Sequence, residues 1–168
     1  MKNICLFFFL IVSVKMVAQT DVLTLQNEID KTVWKPFRKA FEALDGEALN
    51  SLYAENVLRV ISDKIDTKGD FKIKNIENFL AAKKNNVSIK LDFWLDSRST
   101  NEDISYEIGF FRINRTTDGN SNVYYGQFHI VLQKINGEWK ITQDWDASTV
   151  NGKKIGKDDF ERKEALRF

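Results

Sequence analysis

Cysteine, histidine and proline each occur once in this 168-residue chain, and methionine occurs twice. Each scarcity excludes something. A lone thiol has no partner for a disulfide within the chain. One His and one Cys cannot supply the set of nitrogen and sulfur ligands that a structural zinc site takes. The charges nearly cancel, with 25 Lys and Arg against 24 Asp and Glu. The basic excess that would neutralise nucleic-acid phosphates is therefore missing, and no nucleic-acid partner is expected. Neither a phosphate-binding glycine loop nor a nucleophile elbow is present.

Long apolar runs are also scarce. The one that stands out, Ile4 to Val14, follows Lys2 and precedes Lys15-Met16-Val17-Ala18. It is shorter than the roughly 20 residues of a membrane span. A basic start, a short apolar stretch and a small residue at its end predict a secretory signal peptide over residues 1–18, cut after Ala18. Cutting there removes Cys5, Met1, Met16, Lys2 and Lys15, so the formal charge moves from +1 to just below zero. Cys5 lies inside the apolar run rather than after it, which argues against a lipid anchor. The mature chain is expected in the periplasm or outside the cell, with no sulfur, no membrane span, no metal site and no cofactor. At about 150 residues it is long enough to bury a core without staples. Residues 19–168 are expected to form a single domain with a C-terminal extension from about residue 149.

The first half has helical periodicity. Ile29, Val33, Phe37 and Phe41 recur every four residues, with Trp34 and Leu44 beside them. Pro36 interrupts this stripe, and it predicts a kink or the start of a second helix. Asp45 is placed to cap a short helix from Glu47 to Tyr53. Asn56 to Ser62 reads as a strand, and Asn75 to Lys83 as a further helix. The period then changes to two. Val87 to Leu95, Ser105 to Ile113, Val123 to Lys134 and Glu138 to Ala147 read as strands. Asn136-Gly137 predicts a tight hairpin between the last two. A two-residue loop there would pair Leu132 with Ile141, Ile130 with Gln143 and Phe128 with Trp145 on one apolar face. The opposite face would pair Val131 with Thr142, His129 with Asp144 and Gln127 with Asp146.

Helices followed by a meandering sheet make an α+β pattern. The local text resembles a known superfamily. Trp34-x-x-Phe37-x-x-Ala40-Phe41 followed by Leu44-Asp45-x-x-x-Leu49-x-x-Leu52-Tyr53-Ala54 resembles the opening helices of nuclear transport factor 2-like proteins. Gly126-x-Phe128-His129-x-Val131-x-x-Lys134-x-Asn136-Gly137-x-Trp139-Lys140-Ile141 resembles their closing hairpin. Among these proteins the SnoaL-like branch, with its secreted bacterial members, is the most similar. The resemblance implies a cone, a curved and mostly antiparallel sheet wrapped around the N-terminal helices (a cystatin-like α+β roll). It also implies an apolar pocket inside and a dimer on the outer sheet face. Such folds serve isomerases, dehydratases, cyclases and binding modules, so the fold alone assigns no reaction. In ketosteroid isomerase, a relative, the strand after the Leu-Tyr-Ala motif carries a catalytic Asp. Here the matching position is Ile61, which cannot abstract a proton.

The implied pocket is expected to draw on Trp34, Phe37, Tyr53, Phe93, Tyr106, Tyr124, Phe128, Gln143 and Trp145, apolar walls with a few oriented polar groups. The implied dimer face would present Trp94, Phe111, Tyr125 and Val131, unless the C-terminal segment Lys157 to Phe168 covers it. His129 and Asp144 are candidates either for a proton-transfer dyad or for a polar pair on the outer sheet face. Arg59 and Arg112 are candidates to receive a ligand carboxylate or to be ordinary paired surface groups. Asp144 and Asp146 share a strand face but lack calcium-loop spacing. Three functions follow as expectations. The first is a domain that binds a small apolar or amphipathic molecule without turnover, as a homodimer. The second is a cofactor-independent lyase or isomerase, SnoaL-like or dehydratase-like. The third is a protein-interaction module using the outer aromatics.

Overall fold

The computed structural model describes residues 22–168; the signal peptide expected over residues 1–18 lies outside the described residues. Residues 22–29 form helix α1, which runs through a π-helical turn, Asp30–Trp34, into α2, Lys35–Glu42. Pro36 explains the turn. It has no N–H to donate, and its ring would collide with the carbonyl one turn back. Widening that turn, so that the Lys35 N–H donates to the Asp30 carbonyl, relieves the clash and keeps the helix going. The widened turn also buries Val33 and Trp34 side by side. Asp45 caps α3, Gly46–Asn50, by accepting from the Ala48 N–H at 2.9 Å.

β1 (Tyr53–Ile61) and β2 (Lys64–Asp66) form a hairpin. Asp66 then accepts the N–H groups of Lys68, Gly69 and Phe71, which starts α4 (Asp70–Lys84). Four long strands follow: β3 (Ser88–Thr100), β4 (Ile104–Thr117), β5 (Asn120–Ile135) and β6 (Glu138–Ala147). The sheet order is β2-β1-β6-β5-β4-β3, antiparallel except where β1 runs parallel to β6. The expected α+β architecture is present: a curved, mostly antiparallel sheet with the N-terminal helices on its inner face. Asn136-Gly137 makes the β5–β6 turn, both residues with positive φ as the tight hairpin demands. β3, β4 and β5 run past the expected ends, and their added residues are half-buried or exposed.

The chain's last segment covers one half of the outer face. β7 (Thr149–Val150), β8 (Lys153–Lys154) and the single-turn α5 (Lys157–Phe160) bring Ile155 and Phe160 onto Trp94 and Phe110. The Trp94 indole N–H donates to the Phe160 carbonyl at 2.7 Å. Burying an aromatic such as Phe110 or Phe160 is worth about 1.5–3 kcal/mol. The chain then turns over the edge of β3, where the Leu166 N–H donates to the Phe93 carbonyl and Phe168 packs on the Phe93 ring. This blunts an otherwise open strand edge. Among the described residues no helix is long and apolar enough to cross a membrane.

Candidate functional site

Two β-bulges decide which side chains enter the cone. The hairpin register holds as expected from Ile135–Glu138 to Leu132–Ile141. Beyond that point β6 carries one extra residue. Thr142 and Gln143 both face outward opposite Val131, and the pairing shifts to Ile130–Asp144, His129–Trp145 and Phe128–Asp146. Asp144 and Asp146 therefore turn inward. β3 has a matching irregularity between Leu95 and Ser97, after which Arg98 pairs with Glu107. The result is one cross-strand row on the inner face: Arg98, Glu107, Ile130, Asp144, Arg59.

Beside the β1–β6 end of this row lies a cavity of about 310 Å³, near the lower end of the roughly 300–1,000 Å³ of small-molecule sites. Its walls are largely aromatic and aliphatic, among them Trp34, Phe37, Phe93, Phe111 and Phe128. Two glycines help to keep it hollow. A Cβ on Gly109 would meet Phe128 Cζ at 2.3 Å, and one on Gly126 would meet Phe111 Cζ at 2.3 Å. Each ring lies down on the neighbouring strand's glycine instead of standing into the lumen.

The polar wall is built by β1 and β6. The Tyr53 hydroxyl donates to Asp144 Oδ2 at 2.8 Å. Arg59 Nη1 donates to Asp144 Oδ1 at 2.5 Å, and Nη2 donates to Asp146. Burial pushes the Asp144 carboxyl above the ordinary carboxylate range; the Arg59 cation pulls against that and the Asp146 charge adds to it. Burial also lifts the Tyr53 hydroxyl well above its ordinary value, and the charge of Asp144 lifts it further. This chain of groups can hold, accept or release a proton at the cavity wall. The cation between the two carboxylates is Arg59. Among the described residues no group of three or more His, Cys, Asp or Glu stands where it could hold a metal ion.

The other end of the row is closed. Glu107 is fully buried. Its Oε1 accepts from Arg98 Nε and Nη2 and from the Ser105 hydroxyl, and its Oε2 accepts the Trp34 indole N–H at 2.6 Å. Arg98 also meets Asp30 at 2.8 Å.

The expected site residues separate accordingly. Trp34, Phe37, Tyr53, Phe93 and Phe128 line the cavity together. Gln143 and Trp145 do not, because the bulge at Thr142 turns them outward. For the same reason His129 and Asp144 lie on opposite faces and form no dyad. His129 instead hydrogen-bonds the Tyr106 hydroxyl and stands edge-to-face with Trp145 on the outer face. Burial holds its imidazole below the ordinary value. Tyr106 is outside because β4 turns its odd-numbered side chains, Ser105, Glu107 and Phe111, to the inner face. A buried Glu beside apolar Ile104, Ile108 and Phe110 reverses the apparent alternation. That reversal also corrects Phe111, which lines the cavity rather than an outer face. Tyr124 follows the inward alternation of Phe128 but lies beyond the rim and is half exposed. Of the other expected dimer-face residues, Trp94 is buried under the C-terminal segment and Tyr125 packs beside Phe160. Val131 stays on the open half of the outer face. Arg112 pairs with Asp92 under the Phe160 ring, away from the cavity. Ile61 sits exposed at the end of β1 and does not line the cavity. Glu107 and Arg98 had no signal in the residue pattern; Asp146 had one in its spacing from Asp144.

Solved structures share this architecture. A nuclear transport factor 2-like protein with a cystatin-like fold from Novosphingobium aromaticivorans is 13% identical, with 79% of this chain and 86% of that one covered and a TM-score of 0.61. A ketosteroid isomerase-like protein from Erwinia carotovora atroseptica is 15% identical, covering 72% and 96%, with a TM-score of 0.52. A protein from Catenulispora acidiphila, solved in complex with S-DNPA, is 11% identical, covering 74% and 93%, with a TM-score of 0.61. No protein-family model and no curated protein matches the chain. The chain has the nuclear transport factor 2-like fold.

Proposed function

We propose that this protein binds a small, largely apolar molecule inside the cone, with its polar end against Tyr53, Asp144, Arg59 and Asp146. One observation carries this reading: an aromatic-walled cavity of about 310 Å³ with its polar groups gathered on one wall. The similarity to a protein solved with a small molecule bound supports it. We take the binding to occur without turnover: the sequence position that the isomerase resemblance assigns to a base is Ile61, which is apolar and lies outside the cavity. Calorimetric titration with 2-naphthalenemethanol tests it. Binding to the wild type that is lost in Ile113→Trp, a substitution that fills the lumen from its wall, is the expected result. A wild type that bound neither this alcohol nor the amine or carboxylate of the same apolar body would sink the reading.

A second reading has its own observation. The Asp144 carboxyl is pushed up by burial and hydrogen-bonded to Tyr53, an arrangement suited to moving a proton on a bound carbonyl compound. The reaction would be that of a cofactor-independent lyase or isomerase. Exchange of α-protons of an added cyclic ketone into heavy water, faster with wild type than with Asp144→Asn, is the result it requires.

We also propose a homodimer through the open half of the outer face, where Val60, Trp145, His129 and Ile108 make an apolar cross-strand row beside Val131. Val131→Glu should convert a dimer to a monomer in sedimentation velocity. Export to the periplasm or medium is proposed from the N-terminal pattern. The first residue of the exported chain should be Gln19.

A further inference from the structure

We infer that the cavity selects its ligand by charge: it takes an aromatic or compact apolar molecule bearing a protonated amine, and it turns away carboxylates. This rests on the cavity being the ligand site. Three features of that site point the same way.

The first is the charge balance of the wall. Arg59 is the cation that lines the cavity, and it stands between two carboxylates, Asp144 and Asp146. The wall therefore carries one more negative charge than positive. A carboxylate brought in from water would meet that excess where little water is left to screen it. The Arg59 fork, the group suited to receive an anion, already has a carboxylate on each terminal nitrogen.

The second feature is which hydrogen-bonding positions remain open. The Tyr53 O–H is engaged by Asp144. Asp146 gives one oxygen to Arg59, and among the described residues no donor meets its other oxygen, Oδ1. Asp146 is also the most solvent-exposed member of the ion cluster, with 31% of its side chain exposed. Beside the Arg59 N–H groups that its two carboxylates do not take up, the wall therefore offers a free carboxylate acceptor, Asp146 Oδ1. A ligand donor can satisfy that acceptor, and an ammonium brings three.

The third feature is the opposite wall. Trp34, Phe37, Phe93 and Phe128 surround the lumen with ring faces and edges, and Trp34 packs against each of the other three. Ring faces attract a desolvated cation, so the apolar wall does not oppose the charge that the polar wall prefers.

Three probes with one apolar body test this by calorimetry near neutral pH: 2-naphthylmethylamine, 2-naphthalenemethanol and 2-naphthoate. The amine is expected to bind at least about tenfold more tightly than the alcohol, with no measurable binding of the naphthoate. Asp146→Asn is expected to bring the amine to within about twofold of the alcohol measured on the same variant. An alcohol as tight as the amine, or a naphthoate as tight as the alcohol, overturns the charge selection while leaving the cavity as a binding site. If Asp146→Asn kept the tenfold preference, the role given to Asp146 would be overturned and with it the inference. If none of the three bound, the ligand-site reading would fall as well.

Discussion

Glu107 and Asp144 stand in the same cross-strand row, separated only by Ile130, and are made of the same parts. Each is a buried carboxylate with an arginine on the neighbouring strand and an aromatic donor, Trp34 for one and Tyr53 for the other. Their surroundings differ. Both oxygens of Glu107 are taken by protein donors and the residue does not line the cavity, whereas Asp144 faces the lumen across a wall it shares with Arg59 and Asp146. The lesson concerns what a buried charge is for. A sealed carboxylate orders the strands and helix that surround it. An open one keeps its field and its remaining lone pairs available to whatever enters.

The comparison predicts unequal losses when the carboxylates are removed. Glu107→Ala strands the buried Trp34 N–H and takes from Arg98 the fully buried one of its two carboxylates, leaving it Asp30. A loss of about 3–5 kcal/mol is expected in urea unfolding, as for other buried ion pairs broken on one side. Asp144→Ala leaves Arg59 with Asp146 as partner and with cavity water beside it. A loss of about 1–3 kcal/mol is expected. Equal losses would erase the distinction between the two ends of the row.

The aromatic donors should repeat this order on a smaller scale. Trp34→Phe removes the only donor to Glu107 Oε2 among the described residues, which strands a buried oxygen, and about 1–3 kcal/mol should be lost. Tyr53→Phe removes a bond that cavity water can replace, and about 0.5–1.5 kcal/mol should be lost. A Tyr53→Phe loss larger than that of Trp34→Phe, measured in the same urea series, would show the open end to be the sealed one.

Much of this fold is readable from residue type and spacing. The four-residue stripe from Ile29 to Phe41, the Asp45 cap and the Asn136-Gly137 turn each have a local physical signature, and each produces the element it predicts. Five aromatic residues of the cavity are readable for the same reason, since they follow from periodicity and the resemblance together. The row is not readable. A bulge is one extra residue whose cause is the curvature of the whole sheet, and Asp96 and Thr142 are ordinary polar strand residues with nothing in their type to mark an extra position. Strict alternation past Thr142 sends Asp144 out to His129 and brings Gln143 and Trp145 in. On β4 the misreading has another origin. Ser105 and Glu107 belong on a solvent face by every transfer scale, and their burial makes sense only once Arg98 and Trp34 are seen to meet them.

The smallest expected effect separates the two carboxylates by titration. Burial raises the folded-state value of Glu107 above the unfolded 4.5, against the pull of Arg98. Across the window from that unfolded value up to the folded one, the native state binds more protons than the unfolded chain. Stability contributed by this group is therefore full below the window and falls as pH rises through it. Glu107→Gln has no proton to lose. Its stability relative to the wild type should climb as the pH rises from the unfolded 4.5, then level off above the folded-state value. Asp144→Asn should show the same sign from 3.8 upward, since its carboxyl is raised too. The difference lies in what a ligand does. A cation in the lumen favours the ionised form of Asp144, lowers its folded-state value and flattens that slope, while leaving the sealed Glu107 slope as it was. Urea midpoints of the wild type and both variants, taken across that pH range with and without 2-naphthylmethylamine, read this directly. An amine that flattened both slopes equally, or neither, would mean that the two ends of the row are not separated by Ile130 in the way the geometry requires.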